Sequence, residues 1–152
     1  MNENLQIAHF NVAKLRHEPG DTRVAGFIDN VAKVNAIAER SPGFVWRLTD
    51  DSAAVGNGVS FQALEKDLRI AISMSVWTSA AELFHFVNKT AHGGFLRRRS
   101  EWFEPWVGPN YVIWPHAGEA SPSLEYGWSR LKKLADQGAS REAYDFKFLG
   151  LK

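Results

Sequence analysis

From Leu5 to Val12 the side chains alternate, with Leu5, Ile7 and His9 on one side and Ala8, Phe10 and Val12 on the other. A period of two predicts a strand, and it turns Asn11 toward the face of His9 and Ile7. Pro19-Gly20 then marks a turn. Asp21 is placed to cap a helix whose Val24, Phe27, Ile28, Val31, Val34 and Ala38 recur at helical spacing and stop before Ser41-Pro42-Gly43.

Phe44 to Leu48 is a short β-rich run, and the polar stretch from Thr49 to Gly58 is a loop. Arg69 to Trp77 predicts another strand, with Ile70, Ile72, Met74 and Val76 on one side and Ala71, Ser73, Ser75 and Trp77 on the other. Ser79 followed by Glu82 is a capping-box pattern and starts a second helix, with Leu83, Phe84, Val87, Ala91 and Phe95 as its apolar stripe. Gly93-Gly94 interrupts that helix, and Phe95 to Phe103 continues it. Asn110 to His116 is the next strand. Ser121-Pro122 opens a helix through Leu124, Trp128, Leu131 and Leu134 that Gly138 closes, and Tyr144 to Leu149 is a last strand.

The order is β-α-β-β-α-β with an extra C-terminal helix and strand. It predicts an α+β, ferredoxin-like antiparallel sheet with helices on one face. The other face, drawing on Trp46, Trp77, Trp114 and Phe146, is too aromatic for water and calls for a second copy of the chain. A homodimer is therefore expected.

Composition narrows the classes. A chain of 152 residues, 45% hydrophobic, builds one core, so residues 1–152 are read as a single domain. Eighteen basic against 17 acidic residues give a formal charge of +1, which supplies no field for nucleic acid. Without cysteine there is no disulfide framework and no thiolate chemistry. The polar start and the lack of a long apolar run make a cytoplasmic protein, away from the membrane, the expectation. No HExxH, GxSxG, EF-hand or phosphate-loop spacing occurs, and Gly56-Asn57-Gly58 fits none of them.

Three runs carry a resemblance. Gly43-Phe44-Val45-Trp46-Arg47-Leu48, then Val76-Trp77-Thr78-Ser79 through Phe86-Val87 and His92 to Trp102-Phe103, and finally Trp114-Pro115-His116-Ala117-Gly118 together resemble a domain-of-unknown-function family of the dimeric α+β-barrel, antibiotic-biosynthesis-monooxygenase-like superfamily. More distantly, the chain is similar to haem-degrading monooxygenases of that superfamily, which place a histidine of an Ala-His pair at the end of the second helix and an asparagine on the first strand. His92 and Asn11 fall at those positions, whereas the tryptophan of that helix is missing and His85 or Phe86 stands near its place.

The resemblance implies a monooxygenase-like enzyme acting on a small apolar molecule, either with haem as its cofactor, if His92 is a metal ligand, or with no cofactor, since the superfamily contains both kinds. His92 is the expected ligand or base and Asn11 an oxygen-orienting donor. Trp77, Phe86, Trp102 and Trp106 are the expected walls of an aromatic pocket between sheet and second helix. The alternative is a non-catalytic dimer that binds a small ligand or supports another protein. Bland roles compete throughout: a helix-terminal histidine interacts with the macrodipole, His85 belongs to a solvated face, and aromatic residues at this spacing are often core.

Overall fold

A computed structural model describes residues 5–18, 20–48, 59–60, 69–92 and 99–151. The alternating N-terminal run forms β1 (Gln6–Leu15), which ends three residues beyond the Val12 that its pattern predicts. It pairs antiparallel with β4 (Ile70–Trp77) over eight positions, from Ile7 opposite Trp77 to Lys14 opposite Ile70. On its other edge, β6 (Tyr111–His116) pairs with Gln6 to Asn11, and β5 (Phe103–Glu104) takes over at Lys14 and Leu15. The outer edge of β4 carries β2 (Phe44–Arg47) and β3 (Val59–Ser60). The sheet thus runs β2 and β3, β4, β1, then β6 and β5, with every neighbour antiparallel.

This register sorts side chains by residue number. Ala8, Phe10, Val12, Ile72, Met74, Val76, Val112 and Trp114 make an even face; Ile7, His9, Asn11, Ala71, Ser73, Ser75, Trp77, Tyr111 and Ile113 make an odd one. Two helices lie on the odd face. A 3-10 turn at Thr22–Val24, capped by the Asp21 carboxylate accepting from the Arg23 N–H at 2.8 Å, leads into α1 (Ala25–Glu39). Val24 and Phe27 then pack with Leu15, Ala71 and Trp102. The second, α2 (Ala80–His92), starts where the Glu82 N–H donates to Ser79 Oγ at 3.2 Å, and Leu83, Phe86 and Val87 pack around Trp77. A single turn, α3 (Arg99–Trp102), precedes β5.

The last helix, α4 (Leu124–Gln137), lies across the even face. Ser123 caps it, accepting from the Tyr126 N–H at 3.1 Å, and Gly138 ends it with φ +79°. Its Leu131 and Leu134 join Phe10 and Trp114 in one core. Phe10 meets Trp128 edge-on at 6.4 Å, and Trp114 meets Tyr126 at 5.7 Å.

Several expectations change. Helices occupy both faces, because α4 covers the one that was expected to need a second copy: Met74, Val76 and Trp114 are each 2% exposed in the single chain. Trp77 lies on the odd face, opposite Trp46 and Trp114, and Phe146 is in no strand. Of the aromatic residues offered as the cause of dimerisation, Trp77 and Trp114 are therefore already buried, and Trp46 and Phe146 partly so. Tyr144 to Leu149 forms only a bridge from Tyr144 to Ile113 and then a 3-10 turn at Lys147–Leu149, where the Phe148 N–H donates to the Asp145 carboxylate. That local bond favours a turn over a ladder. Phe103 belongs to β5 rather than to a continued helix, and Ser123 replaces Ser121 as the cap. The expected loop at residues 49–58 lies outside the described residues. Among the described residues, no helix is long and apolar enough to cross a membrane.

Candidate functional site

The odd face holds polar groups in the middle of its strands. One cross-strand row runs Tyr111, Asn11, Ser73, and the next runs Ile113, His9, Ser75, Arg47. The third, Ile7, Trp77 and Phe44, is apolar. Ser73 is exposed although it sits centrally in β4, while Ile72 and Met74 beside it are buried on the even face. The odd face is thus open above Ser73, with the small side chains of Ala13 and Ala71 in the row beyond.

Each polar group has a defined state. Ser73 Oγ donates to Asn11 Oδ1, which turns the Asn11 amide nitrogen and its two N–H donors away from Ser73. The Tyr111 hydroxyl accepts from the Phe146 N–H at 3.0 Å, tying the C-terminal segment to the site's edge. The Trp77 indole donates to Ser75 Oγ at 2.9 Å. His9 lies 5.7 Å from the Tyr111 ring, and neither imidazole nitrogen makes a hydrogen bond among the described residues. Loss of solvent around it pushes His9 down to about 4, so the ring is neutral at physiological pH. Burial also raises the Tyr111 hydroxyl above its ordinary value and keeps it protonated.

Of the residues expected from sequence, Asn11 lies in this row. Trp77 lies two rows away and is 0% exposed, so it is core, and Phe86 stacks on it at 5.1 Å with an interplanar angle of 27°. Trp102 does not join them: it packs under α1 with Phe27 and against Gly26 and is 1% exposed, so it is core. Trp106 packs with the even-face cluster and lines a separate cleft. The single aromatic wall is therefore split between three places. His92 is the last residue of α2, and its imidazole lies outside the described residues. His85 is exposed, in keeping with a solvated helix face.

His9, Ser73, Ser75 and Tyr111 are absent from the expected site. Their signal is present in the alternation, since His9 and Asn11 share a face and two serines interrupt the odd side of an otherwise apolar strand. The registers that bring the three strands into one row are not written in any of them singly.

Comparison with solved structures supports the fold alone. A protein of unknown function from Nitrosomonas europaea aligns with TM-score 0.54 at 12% identity, covering 80% of this chain and 98% of that one. SnoaB, a cofactor-independent oxygenase from Streptomyces nogalater, aligns with TM-score 0.46 at 16% identity over 78% of this chain and 98% of its own. A Pseudomonas aeruginosa protein aligns with TM-score 0.49 at 12% identity over the same shares. None of the curated proteins matches. The sequence match is more specific: residues 6–149 fit the family described as a domain of unknown function, DUF3291, and the chain belongs to that family.

Proposed function

We propose that this protein is a small-molecule oxygenase-like enzyme of the dimeric α+β-barrel superfamily, with its reaction centre on the odd face around His9, Asn11 and Ser73. With the two-residue β3 and β5 set aside, the order β1, α1, β2, β4, α2, β6 and the strand sequence β2, β4, β1, β6 support the ferredoxin-like plait on which that superfamily is built. The observation that carries the function is the juxtaposition of an unpartnered, neutral imidazole with an oriented amide, at an opening in a helix-covered face.

The chemistry follows from those two groups. A neutral His9 accepts a proton from an acidic O–H of an electron-rich aromatic or enolic substrate, and the substrate anion formed beside it favours the imidazolium that burial otherwise disfavours. The Asn11 N–H groups, fixed by Ser73, donate to the developing oxyanion. The anion gives an electron to dioxygen, the two resulting radicals combine into a carbon–oxygen bond, and the His9 imidazolium protonates the peroxide anion so formed, so that one substrate and one dioxygen give a hydroperoxide and His9 returns to its neutral form. Phe86, held against the buried Trp77, supplies an apolar flank for the ring. If haem binds, His92 would be its ligand.

Oxygen uptake with a panel of hydroquinones and polycyclic phenols tests the scheme. Asn11→Ala and His9→Phe should each lower turnover by roughly a hundredfold while the thermal midpoint measured at neutral pH stays close to wild type. Saturable binding of the same phenols without oxygen uptake would favour the non-catalytic ligand-binding reading instead. A haemin titration of wild type and His92→Ala, followed at the Soret band, decides the haem proposal independently.

A further inference from the structure

A second site lies along the C-terminal end of β1, from Val12 and Ala13 to Arg16. Where β6 stops pairing at Asn11 and β5 begins at Lys14, the edge of the sheet opens into a cleft of about 230 Å³. Trp106, Phe103 and Val12 form its apolar lining, and Arg16, Asn110 and Glu104 its polar one. The Arg16 Nε–H donates to the Ser100 carbonyl at 2.8 Å, which anchors the guanidinium at the cleft. Its terminal nitrogens meet no carboxylate among the described residues. Glu104 would repel an anion, but it accepts from Arg69 Nη1 at 2.8 Å and is neutralised there. One positive charge is left uncompensated beside an indole and a phenyl ring. The Asn110 carbonyl is used by the Val12 N–H at 2.8 Å, and its side-chain amide makes no hydrogen bond among the described residues.

We infer that this cleft binds a small aromatic carboxylate, its ring against Trp106 and its carboxylate on the terminal nitrogens of Arg16. A planar fork with one edge already tethered loses little entropy on gripping a carboxylate through the other. The small cleft admits about one ring, since drug-sized ligands need roughly 300 Å³ or more. The site is distinct from the His9 and Asn11 row and does not depend on the oxygenase reading.

Benzoate is the probe, with benzyl alcohol as the ring without charge and inorganic phosphate as the charge without a ring. Titrations of the full-length protein by nuclear magnetic resonance, following the Trp106 indole, should give saturable benzoate binding. Arg16→Gln should weaken it by roughly tenfold or more, and Trp106→Leu should weaken it too. Asn11→Ala should leave it unchanged, which separates this site from the reaction centre. Circular dichroism confirms that each variant is folded, and Arg16 is exposed enough to be replaced without loss of core. Absence of benzoate binding to wild type overturns the inference. So do equal affinity in Arg16→Gln, equal binding of benzyl alcohol, or phosphate binding as tight as benzoate.

Discussion

His9 shows how one side chain couples stability to pH. Its folded value of about 4 lies below the ordinary 6.5, so between these values the unfolded chain binds the proton and the folded one does not. The contribution of a neutral His9 is complete above pH 6.5 and is lost as pH falls through that window, levelling off below about 4. Because the ring is only partly enclosed, the loss should be on the order of 2 kcal/mol or less, short of the full linkage for such a shift. Chemical denaturation at about pH 7.5 and about pH 4.5 should show it for wild type and not for His9→Phe. Trp77 makes a contrasting case. It is 0% exposed, stacked on Phe86 and met edge-on by Phe44 at 5.5 Å, so Trp77→Ala should cost about 3–5 kcal/mol by denaturant melt. Wild-type stability in that variant would show the indole to be dispensable to the core. At this scale the alternation within each strand was enough to give the sheet faces of Asn11 and Trp77, whereas the burial of Trp102 depends on Gly26, 76 positions away in the chain, admitting its indole.

Among the elements, α4 depends most visibly on a single position. Gly127 lies mid-helix, where glycine costs about 1 kcal/mol relative to alanine, yet a Cβ there would sit 2.6 Å from Phe10 Cδ1. The close approach of helix to sheet therefore outweighs the propensity. Gly127→Ala should lower stability by about 1–3 kcal/mol despite its better helix propensity, and Phe10→Leu in the same chain should recover part of the loss. Equal or higher stability in the single variant would mean that α4 is free to shift. Period and caps made β1, β4, α1, α2 and α4 legible within a few residues. They could not reveal which face α4 covers, because an amphipathic helix fits either side of a sheet that is apolar on both. The two-residue strands β3 and β5 exist only through pairing with β4 and β1, and no pattern that short announces itself.

For the whole molecule, the decisive feature is that one chain covers both faces of its sheet. Leu131 on α4 is 4% exposed and packs into the core with Phe10, Met74 and Trp114. An unpaired carboxylate placed there would have to be neutralised or leave the core, so Leu131→Asp should detach α4 and uncover the even face. Light scattering and a dye that reports exposed apolar surface are expected to show aggregation of that variant, against a monodisperse wild type. A monodisperse Leu131→Asp with unchanged dye binding would mean that something other than α4 closes the face. The same measurement on wild type tests the homodimer proposed from sequence: a twofold mass that survives dilution would have to rest on surfaces other than the centre of the even face, where the single chain has already taken Trp114 out of water.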